Sequence, residues 1–137
     1  MMPSNPVSLA AELKEMMVRH ALGEAPNECC GILLGRNGRI ERVIAIKNDL
    51  PAPDAYFMNP EQQIAVFTEM QKRGEELLGI YHSHPKGPPV PSNADLQLAF
   101  HPEVAYFIIS LADADNPELR AFVLRRNGFE EVLFFIT

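Results

Sequence analysis

The chain has 137 residues, of which 47% are apolar and 22% charged, and a net charge of −6 with its histidines neutral. This length predicts one domain, residues 1–137, built around a single core. The acidic balance and the lack of a basic run argue against a nucleic-acid-binding protein. No apolar stretch approaches the roughly 18 residues of a membrane span.

The first half of the chain predicts a helix, a β-hairpin and a second helix. Helical spacing of apolar residues and alternation of apolar and polar residues are the signals. The predicted elements are a helix from Ser8 to about Gly23, a strand over residues 29–34, a turn at Asn37-Gly38, a strand over 39–46, a loop over 48–58 and a helix from Asn59 to about Arg73.

The second half predicts a histidine-bearing strand and further short elements. These are a strand over 79–84, a Pro-rich loop, a short helix from Asn93 to about Phe100 and a strand over 104–111. A polar turn over 112–117 follows, and then two strands over 119–126 and 129–136 joined at Asn127-Gly128. Hairpins that alternate with helices predict an α/β domain with a mixed β-sheet flanked by helices.

The N-terminus and the cysteines predict a cytoplasmic protein. Residues 1–4 show neither the charged nor the apolar region of a signal peptide. Cys29 and Cys30 are adjacent, and a disulfide between neighbours is strained, so we expect two buried thiols on opposite faces of a strand.

The strongest chemical signal is a pair of histidines followed by a carboxylate. His82 and His84 are two residues apart on a predicted strand, so both face one side while Ser83 faces the other. Asp95 returns on the first turn of the next helix. Two imidazoles and a carboxylate form the ligand set of a catalytic zinc, which keeps a fourth position for water.

Simpler interpretations exist for each part of this pattern. A His-x-His pair alone is more often a pair of ordinary strand-end histidines than a metal site. Ser92 and Asp95 also match a helix capping box, with the carboxylate near the positive end of the helix dipole. A capping Asp can still present an oxygen to a metal, so the two interpretations are compatible.

The complete motif resembles the signature of the JAMM/MPN+ zinc metalloproteases: His82-x-His84, seven residues, then Ser92-x-x-Asp95. Glu28, within the string Asn27-Glu-Cys-Cys-Gly, matches the glutamate that this family requires upstream. The resemblance covers nearly the whole chain and is strongest to the short prokaryotic type similar to sulfur-carrier-protein peptidases. It implies a single-domain mixed sheet flanked by helices, with a cytidine-deaminase-like architecture.

The resemblance also implies a set of roles for these residues. His82, His84 and Asp95 would hold one zinc ion per chain, Glu28 would be the general base for the attacking water, and Ser92 would stabilise the oxyanion. The role of Glu28 comes only from the resemblance, because an isolated glutamate at a strand start is usually solvated. The segment 56–58 would either border the substrate cleft or pack onto the core.

The implied activity is cleavage after the C-terminal Gly-Gly of a ubiquitin-like modifier or sulfur-carrier protein, at a peptide or an isopeptide bond. The main alternative is a non-catalytic MPN scaffold subunit that mediates protein–protein interaction. A cysteine hydrolase using Cys29 or Cys30 would leave the metal motif unexplained. A nucleoside deaminase would need a Pro-Cys-x-x-Cys string, which the sequence lacks.

Overall fold

The computed structural model describes residues 6–97, 101 and 104–137. Its elements in chain order are β1 (Ser8–Leu9), α1 (Ala11–Glu24), β2 (Cys30–Arg36), β3 (Arg39–Ile46), α2 (Pro60–Arg73), β4 (Glu76–His84), α3 (Asn93–Gln97), β5 (Ala105–Ser110), β6 (Glu118–Arg125), β7 (Gly128–Val132) and β8 (Phe135–Ile136). None of the helices in these ranges combines the length and the apolar run that crossing a membrane requires.

All eight strands belong to one mixed sheet, in the order β7-β6-β5-β4-β2-β3-β1-β8. The central strand β4 pairs antiparallel with β2 and parallel with β5. β7 and β8 occupy opposite ends of this order, although only Leu133 and Phe134 separate them in the chain. Three residue steps span at most about 11 Å, so the sheet must curl until its two ends approach each other.

The central strands are buried on both sides. Odd-numbered residues of β2, β4 and β5, such as Leu33 and Phe107, share a cluster with residues of α1. Even-numbered residues, such as Ile32 and Ile80, share a second cluster with residues of α2. We call these two sides the α1 face and the α2 face. The alternation of side chains along a strand therefore decides to which layer each residue belongs.

Local sequence signals explain the hairpin and the second helix. Asn37 and Gly38 both have positive φ, at 53° and 75°, as the tight turn between β2 and β3 requires. The Asn59 side chain accepts a hydrogen bond from the Gln62 backbone N–H and caps α2, which ends at Gly74 in the left-handed conformation. These predicted elements are confirmed.

Two predicted elements are wrong at the edges of the sheet. Ser8 does not cap the first helix, because Ser8 and Leu9 form β1 between β3 and β8, and the helix starts at Ala11 without a side-chain cap. The predicted strand over 129–136 is in fact two strands, β7 and β8, at opposite ends of the sheet. In both cases long-range strand pairing overrides the local pattern. The predicted end of the third helix near Phe100 lies outside the described residues.

Candidate metal centre

Three buried side chains converge at the end of β4. The His82 and His84 side chains both lie on the α2 face, and Asp95 comes from the first turn of α3. His82 Nε2 lies 3.1 Å from one Asp95 carboxylate oxygen, and His84 Nε2 lies 2.9 Å from the other. The two Nε2 atoms are 3.2 Å apart. The structure thus brings together the three residues that the sequence predicts as metal ligands.

The loop after His84 holds this arrangement in place. His84 Nδ1 donates a hydrogen bond to the Pro88 carbonyl over 2.8 Å, which orients the ring and leaves Nε2 directed at Asp95. Ser92 and Asp95 form the predicted capping box: the Ser92 N–H donates to Asp95 Oδ2, and the Asp95 N–H donates to Ser92 Oγ. The capping interpretation and the ligand interpretation therefore describe the same residues.

The donor set fits a tetrahedral zinc ion. With zinc–nitrogen and zinc–oxygen bonds of about 2.0 Å, neighbouring ligand atoms in a tetrahedron lie about 3.3 Å apart, close to the three separations above. Burial lowers the pKa of His82. Burial alone would raise the pKa of Asp95, but hydrogen bonds from His82 and His84 outweigh it and hold this pKa well below its usual range. Burial alone would lower the pKa of His84, but its hydrogen bonds to Asp95 and to the Pro88 carbonyl raise it. A metal ion held by these residues would take the place of the protons at the two Nε2 atoms, because imidazole binds a metal in its neutral form.

Glu28 stands beside these ligands although it lies more than fifty residues earlier in the chain. In the antiparallel pairing of β2 with β4, Cys30 is opposite His82, so the same register places Glu28 opposite His84. Its backbone is held by the 48–58 loop: the Glu28 N–H donates to the Ala52 carbonyl, and its carbonyl accepts from Asn48 Nδ2.

The Glu28 carboxyl is buried and incompletely satisfied. The residue is 2% exposed, and Oε1 has no hydrogen-bond partner among the described residues. The pKa of Glu28 is raised to about 8, mainly by burial; the charge of His84 lowers it, and the nearby carboxylates Asp95 and Asp54 add to the rise. A carboxyl with such a pKa can take up and release a proton near neutral pH, as a general base must.

A cavity of about 450 Å³ opens onto Glu28, His84 and Ser92. Ser92 is exposed, and its Oγ accepts from Asp95 N–H, so its own proton remains free to donate into the cavity. The other lining residues come from the two proline-containing loops: Pro53, Asp54, Lys86, Gly87, Pro88, Val90 and Pro91. Sequence reasoning missed Pro53, Asp54 and Lys86, because the approach of the two loops depends on the β2–β4 register.

The segment 56–58 does not line this cavity. Tyr56 and Met58 are buried in the cluster of the α2 face, and the Tyr56 ring stacks on the His82 ring with 4.7 Å between centroids. Tyr56, Phe57 and Met58 line a separate small cavity of about 60 Å³. Of the two roles considered for this segment, packing onto the core is the one that the structure supports for Tyr56 and Met58.

The two cysteines are free and buried, and they face opposite sides of the sheet as predicted. Cys29 belongs to the α1 face and Cys30 to the α2 face, where its thiol contacts the Ile46 carbonyl. Burial raises the pKa of each thiol to about 12. Because the thiolate is the nucleophilic form, neither cysteine suits a cysteine hydrolase.

Comparison with known protein families places the chain in one of them. Residues 10–125 match the family model described as prokaryotic homologs of the JAB domain. The chain belongs to this JAB family. The match spans every element from α1 to β6 and includes all five predicted site residues.

Two named relatives are similar to this chain over most of their length. The chain is 35% identical over 116 residues to the CysO-cysteine peptidase of Mycobacterium tuberculosis, which covers 83% of this chain and 80% of that protein. It is 33% identical over 116 residues to the desampylase of Haloferax volcanii, which covers 80% of this chain and 84% of that protein.

Solved structures share the fold. The solution structure of protein DSY2949 from Desulfitobacterium hafniense has a TM-score of 0.87 and 36% identity, and the match covers 96% of this chain and 92% of that one. The JAB1/MPN domain protein AF2198 from Archaeoglobus fulgidus has a TM-score of 0.65 and 20% identity over 97% of this chain and 99% of that one. The predicted mixed α/β fold of the JAMM/MPN type is confirmed.

Proposed function

We propose that this chain is a zinc-dependent peptidase that cleaves after the C-terminal Gly-Gly of a ubiquitin-like modifier or sulfur-carrier protein. The observation that carries the proposal is the position of Glu28, whose buried, unpartnered carboxyl lies opposite His84 and faces the same cavity. The similarity to a CysO-cysteine peptidase and to a desampylase supports the same class of substrate.

His82, His84 and Asp95 would hold one zinc ion per chain. When bound there, zinc supplies Lewis-acid activation of the scissile carbonyl and of the attacking water. The imidazoles and the carboxylate need little rearrangement, because the capping box and the Pro88 carbonyl already fix Asp95 and His84.

Glu28 and Ser92 would carry out the remaining chemistry. Glu28 takes a proton from a water molecule while the water oxygen attacks the carbonyl carbon of the second glycine. Glu28 later gives that proton to the departing amine as the C–N bond breaks. Ser92 Oγ–H donates to the carbonyl oxygen as it becomes negative, a contribution of roughly 2.7–4 kcal/mol for donors of this kind. The carrier leaves with a free carboxylate, and the partner leaves with a free amine.

The walls of the cavity suit an extended glycine tail. Pro53 from the 48–58 loop and Pro88 and Pro91 from the loop after His84 line it, and proline restricts the backbone of both loops. Glycine is the residue that lets a backbone pass such walls with the least side-chain volume. We place the reaction in the cytoplasm, because Cys29 and Cys30 are both free thiols and the reducing cytoplasm keeps thiols in this form.

A scaffold subunit of the same fold is the alternative function. Such a subunit needs neither convergent ligands nor a buried carboxyl of raised pKa, and this chain has both. Unpaired buried polar atoms are costly, so their presence at one site favours catalysis over a purely structural role.

The test is cleavage of candidate carriers. Zinc-loaded protein is incubated with small Gly-Gly-tailed carriers from the same genome, each extended by an amine-linked group, and the products are weighed by mass spectrometry. We expect one cut directly after the second glycine, inhibition by a zinc chelator, and a sharp fall in kcat/KM when Gly-Gly is replaced by Leu-Leu. Equal cleavage of both tails would indicate a general metallopeptidase, and no cleavage of any carrier would overturn the proposal.

A further inference from the structure

Lys86 is an unpaired cation in an acidic cavity. Among the described residues that line the cavity it is the only lysine or arginine, whereas Glu28 and Asp54 line it as carboxyls. Lys86 makes no ion pair with any described residue, although its side chain is exposed and two carboxyls face the same space. Lys86 is therefore available to bind a negatively charged group of a molecule in the cavity.

The backbone that carries Lys86 is firmly held. Ser110 Oγ donates a hydrogen bond to the Gly87 carbonyl over 2.6 Å, and His84 Nδ1 donates to the Pro88 carbonyl over 2.8 Å. Pro85, on the other side of Lys86, is buried. A lysine on such a turn presents its ammonium from a fixed origin next to the reaction centre, which lowers the entropic cost of using it in binding.

The chemistry of the leaving group explains what this cation could bind. The departing amine must lie within hydrogen-bond reach of Glu28, which returns the proton to it. If the leaving group is an α-amino acid, its carboxylate is only two bonds from that amine and must lie in the same cavity. If the leaving group is a protein lysine, a flexible hydrocarbon chain follows the amine, and no carboxylate is near.

We propose that Lys86 is a specificity-determining residue that binds the free carboxylate of an α-amino acid released from the carrier. It therefore favours a carrier whose Gly-Gly is extended by one amino acid over a carrier joined to a lysine side chain. The inference rests on the proposed peptidase function and goes beyond it, because it assigns the leaving group and the residue that selects it. The hydrolysis itself is unchanged: the C–N bond breaks, and the amino acid departs with its amine protonated.

The experiment compares two substrates that differ in one charge. One is a carrier ending in Gly-Gly-Ala with a free C-terminal carboxylate, and the other is the same carrier with a C-terminal amide. We expect the enzyme to prefer the free acid by about tenfold in kcat/KM, the size of one hydrogen bond to a charged group, mainly through KM. High salt should reduce this preference, because Lys86 is exposed and its charge is screened.

Variants assign the preference to one residue. Lys86→Met should cleave the acid and the amide almost equally, and Lys86→Arg should restore most of the preference because it keeps the charge. Lys72→Met is the matched control, since Lys72 is an exposed lysine in the last turn of α2 that does not line the cavity. It should retain the full preference.

The outcomes separate this inference from the proposed function. If the unmodified enzyme cleaves both substrates at equal rates, or if Lys86→Met slows both to the same extent, Lys86 does not read the carboxylate and the inference is overturned while the peptidase function stands. If the enzyme cleaves neither substrate, nor a carrier linked to a lysine side chain, the proposed function fails and the inference fails with it.

Discussion

On the α1 face of β4 the polar side chains are paired, whereas on the α2 face two buried polar atoms have no partner within the part of the chain that the structure describes. Tyr81 Oη is hydrogen bonded to His20 Nδ1 over 2.8 Å, and Ser83 Oγ accepts the Cys29 backbone N–H over 2.8 Å. On the other face, His82 Nδ1 and Glu28 Oε1 are both buried and unpartnered. Unpartnered buried atoms thus occur on the α2 face, beside the paired Nε2 atom of His82, and not at Tyr81 or Ser83 on the α1 face.

The difference indicates that the two faces of the sheet at β4 have different roles, one in stability and one in the reaction. Buried polar groups are nearly always hydrogen bonded, and the exceptions concentrate where a structure keeps groups available for chemistry. Substitutions on the α1 face should therefore reduce stability and preserve the reaction. Substitutions among the α2-face site residues should abolish the reaction and preserve the fold.

The largest effect should follow Glu28→Gln. The amide has nearly the shape of the carboxyl but cannot take the proton of water, so kcat should fall by about 100-fold or more. Bound zinc should remain near one per chain, because Glu28 is not among the three convergent ligands. Steady-state kinetics and metal analysis of the same preparation measure both; near-normal kcat would make Glu28 a structural residue only.

The stability of the metal-free protein should show the raised pKa of Glu28. Between the ordinary carboxyl pKa of 4.5 and about 8, the folded protein keeps a proton that the unfolded chain has released. The unmodified protein should therefore lose stability relative to Glu28→Gln as pH rises through this window, by about 3–5 kcal/mol at its upper end. Urea unfolding of both metal-free proteins at pH 5 and pH 8.5 measures the change; parallel pH profiles would contradict it.

On the opposite face, Ser83→Ala should act on stability alone. It removes the acceptor of the buried Cys29 N–H, which costs about 1–3 kcal/mol. The side chains of the candidate site on the α2 face should keep their positions, so kcat and zinc content should stay close to normal. A large loss of kcat with unchanged unfolding free energy would show that the two faces are not separable in this way.

The smallest effects should come from the cysteines. Cys29→Ala and Cys30→Ala should each retain zinc and turnover and lose about 1 kcal/mol from packing. A thiol alkylator should leave the folded enzyme active, because both thiols are buried and their pKa is raised to about 12. Inactivation by the alkylator and resistance to a zinc chelator would instead favour a cysteine hydrolase.

The sequence predicted those parts of the site that depend on local spacing. His82 and His84 are two residues apart, the spacing that puts side chains on one face of a strand. Ser92 and Asp95 are three residues apart, the spacing of a capping box at the start of a helix. Both pairs could therefore be predicted from the sequence. Glu28 could be placed only by family resemblance, because its approach to His84 depends on the β2–β4 register. The cavity wall at Asp54 and Lys86 was missed for the same reason.

The same distinction explains the fold. The Asn37-Gly38 turn and the cap of α2 at Asn59 are local and were predicted correctly. The N-terminal strand at Ser8–Leu9 has no local signal, since two residues become a strand only between β3 and β8. Strands that form only because the sheet curls and its two ends approach each other therefore cannot be predicted from local sequence.

Zinc content of purified protein, with His84→Ala and Ser83→Ala measured beside it, tests the central claim most directly. Protein prepared without chelator should contain about one zinc per chain. His84→Ala should lose most of it and still fold, as judged by circular dichroism, whereas Ser83→Ala, one residue away on the other face, should keep it. Absence of stoichiometric zinc from the unmodified protein, or equal zinc in both variants, would contradict the assignment of this cluster as a metal centre.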